Sequence, residues 1–259
     1  MSGVCENQVD LQPHRVEYWL HAKPDDPVAF TAQVAAVGDV YHQAPAVAQE
    51  GGHVIRTDEK TGRQALERAA PTFPMQRGLV ERPEYAYVRH GTPCLIAHFD
   101  VATGNVVAPT IGSSRTEEDC AAHIAHTIAT APEAPWLVIV DQLHTHTSEA
   151  LVRLVASACG IAEDLGEKEK RGILQSMPTR AAFLSAVHHR IRFIYTPKHS
   201  SWLNQIELWF SILVRRLLKR GNCTSVEDLR ERILAFLTYF NATMAKPFKW
   251  TYKGRPLTV

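Results

Sequence analysis

The chain has 259 residues, 45% of them hydrophobic and 21% charged, a balance typical of a folded globular protein and not of a disordered one. No apolar run reaches the roughly 20 residues of a membrane helix, and residues 1–6 lack the features of a signal peptide, which predicts a cytoplasmic protein with no membrane partner. The net charge of +1 hides an asymmetry: residues 165–259 have 17 Lys and Arg against 6 Asp and Glu, or +11, which leaves −10 for residues 1–164.

The first half of the chain changes character after residue 52. Residues 1–52 are punctuated by Pro and Gly and contain only short helical patches, such as residues 28–41, which predicts a linker region. Three strands are then predicted at 53–57, 92–99 and 105–111, the last two joined by a turn. A helix follows from the N-cap Thr116 to about Ala129, with acidic residues in its first turn.

The second half alternates strands and helices. The continuous apolar run at 136–140 predicts a strand buried on both faces, in a parallel position. A helix at 148–158 and a strand at 190–195 follow. A long helix is predicted to begin at Ser200 or Ser201 and to reach about Arg220, and a last helix covers about 224–241. The apolar stripe of the long helix consists of Trp202, Ile206, Trp209, Leu213 and Leu217.

Three carboxylates stand out from this pattern. Asp58 follows the first predicted strand, Asp141 follows the apolar strand, and Glu207 interrupts an apolar helix surface. Strand-end carboxylates that meet a helix carboxylate can hold two Mg²⁺ ions about 3.5 to 4 Å apart, and such a pair activates water or a 3′-hydroxyl for attack on a phosphodiester. The plainer alternatives are a turn residue, a helix N-cap and an outward-facing glutamate, respectively.

Asp58 is followed directly by a second acid, Glu59. Because successive side chains of a strand point to opposite faces, only one of the two can join a metal site.

Four segments resemble the IS630-type transposases of bacterial insertion sequences, which are members of the Tc1/mariner group. They read Asp-Glu-Lys-Thr-Gly at 58–62, Gln-Ala-Leu-Glu-Arg at 64–68, Asp-Gln-Leu-His-Thr-His at 141–146 and Thr-Pro-Lys-His-Ser-Ser-Trp-Leu-Asn-Gln-Ile-Glu at 196–207. The similarity extends from about Leu11 to the C-terminus. Relatives typically read Asp-Asn-Leu-Asn-Thr-His at the third segment, so this chain departs from the pattern at Gln142 and His144.

The resemblance implies an α/β, RNase H-like catalytic domain over residues 53–259, with a mixed five-stranded sheet flanked by helices. Residues 1–52 would then be the remnant of an N-terminal DNA-binding region and a linker, with most of its helix-turn-helix modules absent. Asp58, Asp141 and Glu207 would be the catalytic triad that binds two Mg²⁺ or Mn²⁺ ions. The expected partners are transposon-end DNA, target DNA and a second copy of the chain, as a homodimer in a synaptic complex in the bacterial cytosol.

Basic and aromatic residues provide candidates for DNA contact. Lys198 and His199 precede a predicted helix start, where a phosphate could bind, although a plain capping loop would have the same sequence. Residues 246–255 interleave cations with aromatic rings, as a segment that follows DNA does, or as a tail whose rings pack on the core does. The candidates in this tail are Lys246, Lys249, Trp250, Lys253 and Arg255.

Other functions remain open at this point. His144 and His146 allow a zinc site, but without Cys partners a polar network is the favoured interpretation. The chain could also be an inactive or repurposed DNA-binding protein, or a general RNase H-like nuclease. The intact acids favour an enzyme, whereas the short N-terminal region favours a degenerate protein.

Overall fold

A mixed five-stranded sheet organises the computed structural model, which describes residues 26–198 and 200–251. The strands are β1 (His53–Lys60), β2 (Ala65–Arg68), β3 (Tyr87–Gly91), β4 (Cys94–Asp100), β5 (Val106–Gly112), β6 (Trp136–Val140) and β7 (Ile191–Tyr195). The helices are α1 (Pro27–Gln49), α2 (Glu117–Ile128), α3 (Glu149–Ala158), α4 (Met177–Leu184), α5 (Gln205–Arg216) and α6 (Val226–Thr243).

The sheet has the strand order β5-β4-β1-β6-β7. β1 pairs antiparallel with β4 and parallel with β6, and β6 pairs parallel with β7. This order and these directions confirm the predicted mixed, RNase H-like sheet. The apolar run of β6 needs burial on both faces, and the parallel position between β1 and β7 provides it.

Helices cover both faces of the sheet. On one face α2, α3 and α4 pack against Ile55, Val138 and Phe193. On the other face α5 and α6 pack against β4, while α1 packs against Val54 and Ile139. β1 therefore contributes alternate side chains to two separate cores, as a central strand does.

β1 is longer than predicted. Pairing with β4 continues as far as Lys60 opposite Leu95, so Asp58 lies inside the strand and not after its end. The polar residues at 58–60 do not follow the apolar pattern of a buried strand, but their backbone groups are still satisfied by the neighbouring strand.

The predicted start of the long helix was wrong. Ser201–Leu203 form a single 3-10 turn, and α5 begins at Gln205 with Asn204 in the N-cap position, then ends at Arg216. Trp202 has 47% of its surface exposed and is not part of the apolar stripe, whereas Ile206, Trp209 and Leu213 are buried. The start of α2 was correct, because Thr116 forms a capping box with Asp119.

The region before the sheet contains one long helix in place of short patches. α1 continues through Pro45 and buries Val34, Val37, Tyr41 and Ala44. The described part of the predicted linker region thus packs on the sheet. Its origin as the remnant of a DNA-binding region stays a prediction.

β2 and β3 form a two-stranded ribbon that the sequence did not predict, and the long connection between them holds only isolated bridges. α4 was likewise not predicted. The ribbon and its connection expose several large apolar side chains, which are Phe73, Met75, Leu79, Val80, Tyr85, Tyr87 and Val88. Among the described residues, no helix is both long enough and apolar enough to cross a membrane.

Gly104, in the turn between β4 and β5, allows the C-terminal tail to dock. Its φ is +77°, and a Cβ atom there would overlap the backbone of Lys246. We expect Gly104→Ala to lower the free energy of unfolding by about 2 to 4 kcal/mol, because left-handed strain adds to the displacement of the tail.

Gly160→Ala provides the matched control. Gly160 has a φ of +67°, but a Cβ atom at this position would meet no other atom within 4 Å, so the variant carries the strain alone. Chemical denaturation of both variants measures the difference. Equal losses in the two variants would show that the tail contributes nothing to stability.

Candidate active site

Asp58 and Asp141 come from neighbouring parallel strands. The register places Arg56 opposite Ile139, so the next residues on the same face, Asp58 and Asp141, lie side by side at the sheet edge. Asp58 is partly buried inside β1, and Asp141 directly follows β6 with 41% of its side chain exposed. The strand register therefore brings the two acids together, although Asp58 lies inside its strand and not after it.

An arginine and an asparagine hold Asp58 through a chain of hydrogen bonds. Arg56 is 2% exposed, and its Nε donates to Oδ1 of Asn204 at 2.8 Å. Nδ2 of Asn204 in turn donates to Oδ2 of Asp58. Asn204 makes no side-chain cap to α5, because its amide is engaged in joining this helix start to β1.

The pKa of Asp58 is raised. Burial is the largest cause and raises this pKa to about 6, although Arg56 and the backbone N–H of Glu59 favour the ionised form. The charges of Glu59 and Asp141 raise the pKa further. Without a cation, Asp58 is therefore a carboxylate at a desolvated site beside another carboxylate.

Asp141 has the opposite environment. Burial opposes its ionisation, but a hydrogen bond from His146, the charge of that ring and a bond from the Leu143 backbone together lower the pKa of Asp141. Nδ1 of His146 lies 2.8 Å from Oδ1 of Asp141, and the Leu143 N–H donates to the same oxygen at 3.0 Å.

His146 is buried between two acids. Burial lowers the pKa of His146, but Asp141, Cys120 and Glu59 outweigh it, so that this pKa is raised well above its usual value. The side chain of His146 is 1% exposed, and its Nε2 lies 3.4 Å from Oε1 of Glu59. His146 thus belongs to a polar network, as interpreted from the sequence.

Glu207 does not join the two aspartates directly. Its carboxylate lies 3.5 Å from Nζ of Lys60, and 45% of its side chain is exposed. Lys60 also lies over the ring of Phe210, with Nζ 5.3 Å from its centroid. Across the described residues, no three His, Cys, Asp or Glu side chains are placed to hold a metal ion together.

The donor set still fits a divalent metal. Mg²⁺ and Mn²⁺ prefer oxygen ligands, which Asp58 and Asp141 provide side by side. The raised pKa of Asp58 indicates a site where a cation would relieve both desolvation and repulsion. The pair of Glu207 with Lys60 is partly exposed, and such pairs contribute little to stability, so this contact holds the Glu207 side chain only weakly.

The family described as DDE superfamily endonuclease matches residues 53–230. The chain belongs to this family. A search among curated proteins found no match.

Solved structures of Mos1 provide three comparisons. The Mos1 strand transfer complex is 11% identical, with a TM-score of 0.48 over 89% of this chain and 59% of that chain. The Mos1 mariner transposase catalytic domain is 10% identical, with a TM-score of 0.43. The Mos1 catalytic domain with raltegravir and Mn is 9% identical, with a TM-score of 0.46. Each of these two matches covers 85% of both chains. This DDE endonuclease therefore spans about three fifths of the Mos1 chain in the strand transfer complex.

The predicted DNA contacts divide into exposed cations and packed rings. Lys198, Lys246 and Lys249 are exposed. Phe248 stacks on Phe99 with ring centroids 4.8 Å apart, and Trp250 contacts the Tyr41 ring at 4.6 Å. The rings thus attach the tail to the core, while its two described lysines face solvent. His199, Lys253 and Arg255 lie outside the described residues.

A cavity of about 250 Å³ connects Glu207 with this tail. Trp202, Gln205, Lys249 and Trp250 are among its lining residues. The cavity therefore places the tail directly beside Glu207.

The contacts of Arg56, Asn204 and Glu59 around the aspartates were not predicted from the sequence. Strand alternation could have placed Arg56 on the face of Asp58, but nothing local indicates that Asn204 bonds to residues nearly 150 positions away. The two departures from the relatives' pattern have local partners. Gln142 donates to the Thr196 carbonyl at 3.1 Å, and Nδ1 of His144 lies 3.1 Å from Sδ of Met177.

The raised pKa of Asp58 predicts a stability cost. The folded protein binds this proton more tightly than the unfolded chain does, so stability is favoured at low pH and falls as pH rises from about 4 to about 6. A tenfold change in proton affinity corresponds to about 1.4 kcal/mol. Without metal at pH 8, we therefore expect Asp58→Asn to raise the free energy of unfolding by about 1 to 3 kcal/mol, with no gain at pH 4.

Asp141→Asn is the control for this prediction. Since the pKa of Asp141 is lowered, its ionised form stabilises the fold, and the variant should be less stable than the wild type at pH 8. Urea unfolding at both pH values measures the effects. A loss of stability in Asp58→Asn at pH 8 would contradict the argument from desolvation.

Proposed function

We propose that this DDE endonuclease is the catalytic domain of an IS630-type transposase. It hydrolyses phosphodiester bonds at transposon ends and transfers the 3′-hydroxyl ends to target DNA. The observation that carries the proposal is the pair of Asp58 and Asp141 on parallel strands, with Glu207 on the first turn of the helix that Asn204 joins to Asp58. The family and the resemblance to IS630-type sequences support the same reaction.

Asp58, Asp141 and Glu207 would hold two Mg²⁺ or Mn²⁺ ions, which when bound supply Lewis acidity and lower the pKa of the attacking water or hydroxyl. The chain's own contribution is to position the acids. Arg56 and Asn204 fix Asp58, and His146 fixes Asp141. When Glu207 turns toward the aspartates, Lys60 loses its partner and becomes available to a DNA phosphate beside the site.

We further propose that basic residues hold the DNA backbone. Lys198, His199, Lys246, Lys249, Lys253 and Arg255 are the proposed contacts, and Trp250 acts mainly by attaching the tail to Tyr41. Lys249 lines the Glu207 cavity, and Lys198 and Lys246 are exposed as it is, which supports this arrangement. We place the reaction in the bacterial cytosol.

A homodimer in a synaptic complex is part of the proposal. The ribbon of β2 and β3 and the connection between these strands expose apolar side chains that a monomer would leave in water, and patches of this kind are typical of protein contacts. A second copy would bring a second transposon end to the same assembly.

One observation favours an alternative. If the contact between Glu207 and Lys60 is permanent, the third acid never meets the others, and the chain would be an inactive or repurposed DNA-binding protein.

Isosteric variants of the three acids decide between these functions. Asp58→Asn, Asp141→Asn and Glu207→Gln should each reduce Mn²⁺-dependent cleavage of transposon-end DNA by about 1000-fold, because each removes several kcal/mol of stabilisation from the transition state. DNA binding should survive, since basic residues supply it. The assay is strand cleavage of a labelled duplex, with a labelled RNA–DNA hybrid to detect a general nuclease.

Glu227→Gln is the matched control, because Glu227 is an exposed acid on α6 that pairs with Arg230. It should keep full activity. Undiminished cleavage in Glu207→Gln would instead show that this residue has no role in the reaction, and a wild type that binds DNA without cleaving it would favour the repurposed protein.

The tail lysines should determine part of the salt dependence of DNA binding. Each phosphate contact contributes about 0.9 to the slope of log K against log salt, so the double variant Lys246→Ala/Lys249→Ala should flatten this slope by about 2. The control is Lys168→Ala/Lys170→Ala, which removes two cations that pair with Glu117 and Glu167. Fluorescence anisotropy at several salt concentrations gives the slope for each double variant. If the two slopes are identical, the tail lysines do not contact DNA phosphates.

A further inference from the structure

Glu59 is a buried carboxylate behind the active site. It follows Asp58 in β1, so its side chain points to the opposite face of the sheet, toward α2 and away from α5. The side chain is 3% exposed, and among the described residues its Oε2 has no hydrogen-bond partner. A carboxylate in such a place is costly unless a cation or donor group faces it.

His146 is the group that faces Glu59. Its Nε2 lies 3.4 Å from Oε1 of Glu59, an ion-pair distance, and this nitrogen has no hydrogen-bond partner in the described part of the chain. Its other nitrogen, Nδ1, donates to Oδ1 of Asp141 at 2.8 Å. One imidazole ring therefore connects the buried face of β1 with the exposed end of β6.

The backbone of His146 is fixed as well. Its carbonyl accepts a hydrogen bond from the Tyr195 hydroxyl at 2.8 Å, and its N–H donates to the Leu143 carbonyl at 3.0 Å. The orientation of the His146 ring can thus change mainly by rotation about its side-chain bonds. The contact with Glu59 restricts that rotation.

The hydrogen bonds to Asp141 converge on one oxygen. His146 and the Leu143 N–H both donate to Oδ1, and Oδ2 accepts no hydrogen bond from the described residues. A carboxylate that is held through one oxygen presents the other in a fixed direction.

We propose that Glu59 is a positioning residue that orients His146, so that His146 holds Oδ1 of Asp141 and leaves Oδ2 directed to the metal. The inference rests on the proposed function, because it assigns a metal-binding role to Asp141. Carboxylate–histidine contacts behind a ligand commonly alter metal affinity by 10- to 100-fold. A purely structural role for Glu59 would affect stability alone.

Two conservative variants separate these roles. Glu59→Gln keeps the length of the side chain and an oxygen that faces Nε2, so the Mn²⁺ affinity should stay within about threefold of the wild type. Glu59→Asp keeps the charge but is one methylene shorter, so it should lose contact with His146 and weaken Mn²⁺ binding by about tenfold. Titration calorimetry with Mn²⁺ on the folded, full chain measures both.

The ring of His146 gives a second readout that needs no metal. In the metal-free protein, the ¹⁵N chemical shifts of the His146 ring should change in Glu59→Asp and remain close to wild type in Glu59→Gln. In a His146→Ala background, Glu59→Asp should have no further effect on Mn²⁺ affinity, because both residues act through the same contact.

The outcomes are distinct. If Asp141→Asn abolishes Mn²⁺ binding but Glu59→Asp leaves both the affinity and the ring shifts unchanged, the positioning role is overturned and the proposed function stands. If the wild-type chain binds no Mn²⁺, the proposed function and this inference fail together. Equal weakening in Glu59→Gln and Glu59→Asp would also contradict the proposal, because the loss would then follow the disturbed packing and not the reach of the side chain.

Discussion

The pairing of β1 on both of its sides is the constraint on which the site depends. Antiparallel pairing with β4 and parallel pairing with β6 fix the register of this strand, and therefore the face on which each side chain lies. Asp58 faces α5 and Glu59 faces α2 as a result. A shift of a single residue would exchange the two acids. Burial of Val54 and Ile55 in cores on opposite faces disfavours such a shift and so keeps Asp58 on the face of the site.

The site combines groups that oppose stability with groups that compensate for them. Asp58 is desolvated beside a second acid, while Arg56 and Asn204 hold it in place. Asp141 is stabilised instead by a histidine. This difference gives the two neighbouring carboxylates different proton affinities, so a metal ion would displace a proton mainly from one of them. Active sites commonly lower the stability of a protein in this way, and the rest of the fold supplies the stability that offsets the loss.

The sequence predicted the sheet, and with it the strands near which the two aspartates lie, because strand patterns are local. An apolar run followed by an acid identified β6 and Asp141, and a capping box identified the start of α2. The start of α5 was misplaced because Asn204 is engaged by Asp58 and Arg56, contacts that no local pattern records. The contact of Glu207 with Lys60 could not be predicted from the sequence either, since the two residues lie far apart along the chain.

The contact between Tyr41 and Trp250 joins the first described helix to the last described segment. Neither has a core of its own: α1 packs on one face of the sheet, against Val54 and Ile139, and the tail rests on Phe99 and on the turn at Gly104. Each covers part of the other's apolar surface, so the two belong to one cooperative unit. Opening of either would expose the amides of both to solvent, while the central strands remain protected from hydrogen exchange.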